Sequence, residues 1–215
     1  YVGNSSVDNG DNKLEQKTTI SFTGSADLDN GFTVSTSMSL DNDGGGVDAA
    51  STTIDMGDMG SLTFTGEDGS GPIGAWDDVM PTANEEAHHG VAGSATGPTQ
   101  GASGNQNFKY VNSSMMDGVE LTAFYQPSGN AANIKSSMEY GIKYTGIEGL
   151  DVGFAAGDNE SAANVVENTV IYAKYAIDAF TIGIQDNSTD SEAANADTDF
   201  RAYGISYAIN DDMSV

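Results

Sequence analysis

From Leu14 onward, apolar and polar residues alternate along the chain. Leu14, Thr18, Ile20, Phe22, Gly24, Ala26 and Leu28 fall on one side, and Glu15, Lys17, Thr19, Ser21, Thr23, Ser25 and Asp27 on the other. A two-residue period predicts a strand with one apolar and one polar face. Asp29-Asn30-Gly31 follows, a short turn of residues that tolerate positive φ. The pattern then repeats, with Phe32, Val34, Met38 and Leu40 opposed to Thr33, Ser35, Ser37 and Ser39. The two segments form an antiparallel hairpin with a continuous apolar face. Before them, Tyr1-Val2 reads as a strand end and residues 4–12 as a polar loop. After them, a longer polar loop at 41–51 leads to a strand at 52–56, a tight turn at 57–60 and a strand at 61–66 with Leu62 and Phe64 on one face.

Beyond residue 106 the hairpins recur. Phe108-Lys109-Tyr110, Ile142-Lys143-Tyr144, Ala173-Lys174-Tyr175 and Ile205-Ser206-Tyr207 follow one another at intervals of about 32 residues, each expected just before a short turn. Each return strand is apolar at alternate positions, as at Val119, Leu121, Ala123 and Tyr125, then Leu150, Val152 and Phe154, then Phe180, Ile182 and Ile184. The connections at 127–135, 158–164 and 187–198 are acidic or rich in Gly, Asn, Ser and Ala, and read as solvent-facing loops.

Short and long connections thus alternate, and residues 67–106 interrupt them. This stretch is rich in Gly, Ala, Pro and acid and carries the single Trp, Trp76. An insert of that length without its own secondary structure is uncommon in a compact domain and marks a functional loop. Alternating strands also suit a soluble sandwich. Two features favour a closed transmembrane barrel instead: a polar face of Ser, Thr, Gly, Glu and Lys, as for a water-filled interior, and the segregation of short from long connections. In that reading Tyr110, Tyr144, Tyr175 and Tyr207 lie on the apolar side, at strand ends, as an interfacial aromatic girdle. Lys17, Lys109, Lys143 and Lys174 face the lumen, because Lys at the lipid midplane costs roughly 2–4 kcal/mol. Arg201 shares its side with Tyr203 and Tyr207 and is placed at the outer rim.

Composition is consistent with this architecture. The chain has 38% hydrophobic residues and a mean hydropathy of -0.33, values that resemble a soluble domain. A membrane barrel shows the same average, because only alternate strand positions are apolar. No run of about eighteen apolar residues exists, so helical spans are excluded. Cysteine is absent, which removes disulfides and thiolate metal sites. There are 32 acidic and 7 basic residues, a net charge of -25. Such a surface repels phosphates, excludes nucleic acid as a partner and attracts cations.

The turn Leu28 to Phe32 (LDNGF), the lead-in Met59 to Gly66 (MGSLTFTG) and the long insert after it resemble the general bacterial porins, especially those of alphaproteobacteria. The resemblance implies an all-β, antiparallel, sixteen-stranded transmembrane barrel in the outer membrane of a Gram-negative bacterium. It implies a homotrimer in outer-membrane lipid, and a third external loop folded inward to narrow the pore. Residues 67–106 fall in the place of that loop. The chain then covers about strands 2–12, with partial strands at both ends, as a single incomplete barrel domain. A sheet ending there would leave unpaired edges in hydrocarbon, so the expectation is an internal portion of a longer protein. The implied activity is passive diffusion of small hydrophilic solutes and ions rather than catalysis. Glu67, Asp68, Asp77, Asp78, Glu85 and Glu86 are the expected constriction acids, facing wall lysines across the water. The acidic balance predicts weak cation selectivity.

Other chemistry is sparse. Glu85-Glu86-Ala87-His88-His89 has metal-capable side chains, but adjacent His residues do not share a face and HExxH spacing is absent. Asp41-Asn42-Asp43-Gly44 hints at calcium without the ligand spacing of an EF-hand. No metal site or cofactor is expected beyond weak Ca²⁺ binding on acidic loops. The competing reading is an acidic surface-layer or adhesin β-protein held together by calcium, which predicts solubility without detergent and unfolding in chelator.

Overall fold

The computed structural model describes residues 2–3, 13–14, 19–41, 46–67, 69–81, 101–104, 106–128, 135–161, 164–193, 197–210 and 213–214. In chain order the elements begin with β1 (Val2–Gly3), β2 (Lys13–Leu14), β3 (Thr19–Asp27), β4 (Thr33–Asp41) and β5 (Val47–Asp55). After a 3₁₀ turn at Gly57–Met59 come β6 (Ser61–Glu67), β7 (Gly69–Ser70), helix α1 (Pro72–Trp76) and β8 (Ser103–Gly104). The second half holds β9 (Asn107–Met116), β10 (Val119–Gln126), β11 (Ser137–Tyr144), β12 (Leu150–Ser161), β13 (Asn164–Ile177), β14 (Phe180–Ser191), β15 (Thr198–Asn210) and β16 (Met213–Ser214).

One 12-stranded sheet runs in the order β16-β15-β14-β13-β12-β11-β10-β9-β6-β5-β4-β3, every pair antiparallel. Strands β7 and β8 pair only with each other, as do β1 and β2. The sheet is therefore a simple meander, except that β9 returns to β6 across everything between them. That detour is the insert.

Register carries the alternation across the strands. Leu121, Ile142, Phe154 and Ile171 are successive cross-strand partners, as are Phe22, Met38 and Ala50. These side chains form the outer face, where Phe22 is 53% exposed, Ile171 49% and Ile205 67%. Among the described residues no second layer covers this apolar face. Water would penalise so large a contiguous apolar surface, whereas hydrocarbon accepts it. No described helix is long and apolar enough to cross a membrane.

The turn at Leu28 to Phe32 forms as expected. Leu28 donates to the Phe32 carbonyl at 2.7 Å, and Gly31 takes φ +84° and donates to Leu28 at 2.9 Å. Several expected boundaries are corrected. β5 begins at Val47, inside the predicted 41–51 loop, because a register shift lets Val47 pair with Leu40. β12 and β13 run through most of the predicted 158–164 loop, and β14 reaches Ser191. Backbone pairing does not stop where apolar side chains do. Side-chain bonds such as Thr189 to Asn168, at 3.0 Å, continue the ladder into polar sequence.

Candidate functional site

The inner face of the sheet is defined by what lies on it. Helix α1 contacts β10, β11, β12 and β13. Gly71-Pro72 supplies an extended residue followed by a fixed φ at the first helical position, which is why so short a helix starts here. Ile73, Trp76 and Met80 are buried against Ala155, Val170 and Tyr172 of the wall. Trp76 meets Tyr172 edge-on, with centroids 6.3 Å apart, a geometry that suits the aromatic quadrupoles.

The wall beneath the inward segment is cut back to receive it. A Cβ at Gly141 would lie 2.6 Å from the indole of Trp76, and one at Gly183 or Gly204 would lie 2.8 or 2.7 Å from Pro81. Polar groups fix the register of the docking. Gln185 accepts from the Val79 N–H at 3.2 Å and donates to the Trp76 carbonyl at 3.1 Å. Asn187 donates to the Asp77 carbonyl at 2.8 Å and accepts from Gln185 at 3.0 Å. Both amides are buried, so each bond satisfies groups that water cannot reach.

Between α1 and the short turns lie two cross-strand ion pairs. Lys143 reaches Glu120 at 3.2 Å and Lys174 reaches Asp151 at 3.1 Å. Tyr172 donates to Asp151 at 2.9 Å, and the Lys174 ammonium stands 5.5 Å from the Tyr172 ring centre. The other side of the inner face is different in kind. Thr23, Ser25, Ser35, Ser37, Ser51 and Thr53 of β3, β4 and β5 line an open cavity of about 510 Å³. Thr53 and Thr63 share a hydrogen bond of 2.8 Å there.

A family model for Gram-negative porins matches residues 1–215. The chain belongs to the Gram-negative porin family. Two solved structures share the fold of this porin at low identity. One is an anion-selective porin from Comamonas acidovorans, with 14% identity and a TM-score of 0.61, covering 92% of this chain and 66% of that one. The other is OmpT, an outer membrane protein of Vibrio cholerae, with 12% identity and a TM-score of 0.63, covering 91% and 70%. This chain thus spans about two thirds of the length of either. Among curated protein sequences none matches it. As a Gram-negative porin it is an outer-membrane protein, and its exposed apolar face is the lipid-facing side of a barrel wall.

The expected site residues of this porin are placed unevenly. Glu67 ends β6, half-buried, at the start of the inward detour. Asp77 caps α1 and is buried, whereas its neighbour Asp78 is exposed. Asp68, Glu85, Glu86 and Lys17 lie outside the described residues, as does the Glu85 to His89 cluster. Lys109, Lys143 and Lys174 lie on the inner face in register with Phe124, Glu120 and Asp151. Tyr144, Tyr175 and Tyr207 are exposed on the outer face near short turns. Tyr110 differs from the expectation: β9 continues to Met116, so Tyr110 is internal to its strand. It meets the 3₁₀ turn of the neighbouring hairpin instead, donating to the Met59 carbonyl at 2.6 Å. Arg201 forms a charge-assisted pair with Asp186, Nε to Oδ2 2.6 Å, on the outer face beyond Ile184 and Tyr203.

Sequence reasoning missed the wall residues that hold the insert, namely Glu139, Gln185 and Asn187. Their signal was present. Each is a strongly polar residue at an inner-face position, and Glu139 and Gln185 each have a glycine two residues away on that face, Gly141 and Gly183, a combination that marks something packed on top.

Proposed function

We propose that this porin forms a water-filled channel for passive diffusion of small hydrophilic solutes and ions, with residues 67–106 as its constriction. One observation carries the reading: α1 and the residues around it are docked on the inner face, while the Ser/Thr-lined strands β3 to β5 are left open. A loop held on one wall reduces the cross-section without closing it. Solutes then pass along a surface of hydroxyls, which exchange hydrogen bonds with water and polyols at little net cost. No covalent step is involved.

Cation preference is part of the proposal. The net charge of -25 enriches cations around the entrance. The pairing of Lys143 and Lys174 with acids removes most of the opposing field from that part of the wall. The anion selectivity of the Comamonas porin is compatible with a shared fold, since selectivity resides in side-chain charge. Assembly as a homotrimer of closed sixteen-stranded barrels is proposed on family membership.

Planar-bilayer recording of the detergent-extracted protein tests the reading. Stepwise conductance with a reversal potential on the cation side is expected in a KCl gradient. A chloride-side potential would overturn the selectivity, and no conductance would overturn the channel. Mobility of unheated against heated samples on a gel tests the trimer.

A further inference from the structure

We propose that Glu139 is the positioning residue of the constriction: one carboxylate on β11 fastens both legs of the inward segment to the wall and so sets the aperture. The inference rests on the channel reading above and names the part of the wall that controls it.

The geometry is specific. Glu139 is 0% exposed. Its Oε2 accepts from the Ile73 N–H on the outgoing leg at 3.0 Å, and its Oε1 accepts from the Ala102 N–H on the returning leg. The two legs also pair with each other through β7 and β8, Gly69 opposite Gly104 and Ser70 opposite Ser103. The carboxylate therefore closes the neck of the loop. The space around it is filled. A side chain at Gly71 or Gly101 would collide with the carboxylate, and a Cβ at Gly157 on β12 would lie 2.7 Å from Glu139 Cγ. Phe124, its cross-strand partner on β10, is 1% exposed and closes the remaining side.

Nothing in the sheet requires this acid. The β11 ladder is made by backbone groups, and an apolar residue would be easier to cover. A carboxylate removed from water is strongly unfavourable unless charge-assisted hydrogen bonds compensate it. Here both bonds come from the insert. Burial of Glu139 and docking of the loop are therefore one event: if either leg lifts, an acceptor oxygen loses its partner. Gln185 and Asn187 make a second attachment at the far end of α1. Together the two points hold α1 flat against the wall, and the neck is the point at which both legs are released at once.

Glu139→Gln tests this with little change of shape. Its amide retains one acceptor and turns an NH₂ towards the other backbone N–H, so one leg loses its bond. Glu139→Asp is the conservative control, too short to span both legs. Three readouts apply to the protein folded into lipid: single-channel conductance, the size limit for sugars in liposome swelling, and amide hydrogen exchange at Ile73 and Ala102. Expected for both variants are exchange at least tenfold faster at those amides, lower and noisier conductance with sublevels as the released legs move off the wall into the lumen, and a smaller size limit. The urea midpoint of the barrel should stay unchanged. Wild-type exchange rates in the variants would overturn the latch. Faster exchange together with wild-type conductance and size limit would overturn its control of the aperture, as would a urea midpoint that falls in step with exchange. Failure of the channel reading itself is distinguishable, because the wild-type protein would then not conduct.

Discussion

Trp76 stands on Gly141. The indole occupies the space that a Cβ at position 141 would need, 2.6 Å from Cη2 and Cζ3, and the same ring system meets Tyr172 at 71°. A glycine on the inner face of a strand weakens that strand and gives the helix a place to lie.

Gly141→Val removes that place. Overpacking of this kind costs about 1–3 kcal/mol, and α1 can relieve it only by moving away from the wall into the lumen. Single-channel conductance should fall while the barrel still assembles. Conductance equal to wild type would show that α1 does not border the ion path.

Among the described residues no ion pair involves Lys109, whereas Lys143 is paired with Glu120. Removing a whole pair changes little in the field, whereas removing a charge that has no partner among the described residues changes it more. Lys109→Gln should therefore shift the reversal potential further to the cation side. The double variant Glu120→Gln with Lys143→Gln should leave it near wild type. The difference should be larger in 0.01 M than in 1 M salt, as the screening length shrinks from about 30 to about 3 Å.

Ile182 lies within the apolar band of the outer face, between Phe180 and Ile184 on β14 and in register with Tyr175 and Ile205. Ile182→Lys places a charge in hydrocarbon and should cost about 2–4 kcal/mol. Arg201 is on the same face, but at the polar end of the apolar band beside Asp186. Arg201→Ala should leave the unfolding midpoint almost unmoved. Urea unfolding from phospholipid vesicles measures both.

Gln185→Leu leaves the Val79 N–H and the Trp76 carbonyl without their present partner. An unsatisfied buried group costs about 1–3 kcal/mol. The loss is local to the docked segment, so amide exchange at Val79 should accelerate while exchange in the β12 and β13 ladder stays slow. Protection at Val79 equal to wild type in Gln185→Leu would show that Gln185 does not hold the segment.

The strands, their faces and their order as a meander were legible in the sequence, because a period of two encodes a half-apolar strand whatever lies beside it. Phe22, Ile142, Phe154 and Ile182 could be assigned to one face from spacing alone. The position of the insert followed from counting hairpins. Strand ends were less legible. Around residues 158–164 and 187–191 the side chains turn polar while the backbone keeps pairing, so composition marks the edge of the apolar band and not the end of the strand.

Tertiary structure alone decided how the insert is held. Glu139 is 66 residues from Ile73 and 37 from Ala102 along the chain, and its neighbours on β11 predict an ordinary strand residue. Only when β10 to β12 are side by side do Phe124, Gly157 and the two loop legs enclose its carboxylate. The same holds for Trp76, which as sequence was merely the single Trp of a polar stretch. Alternation is a local property and survives in the sequence, whereas a seat shared by five strands and a loop exists only after they meet.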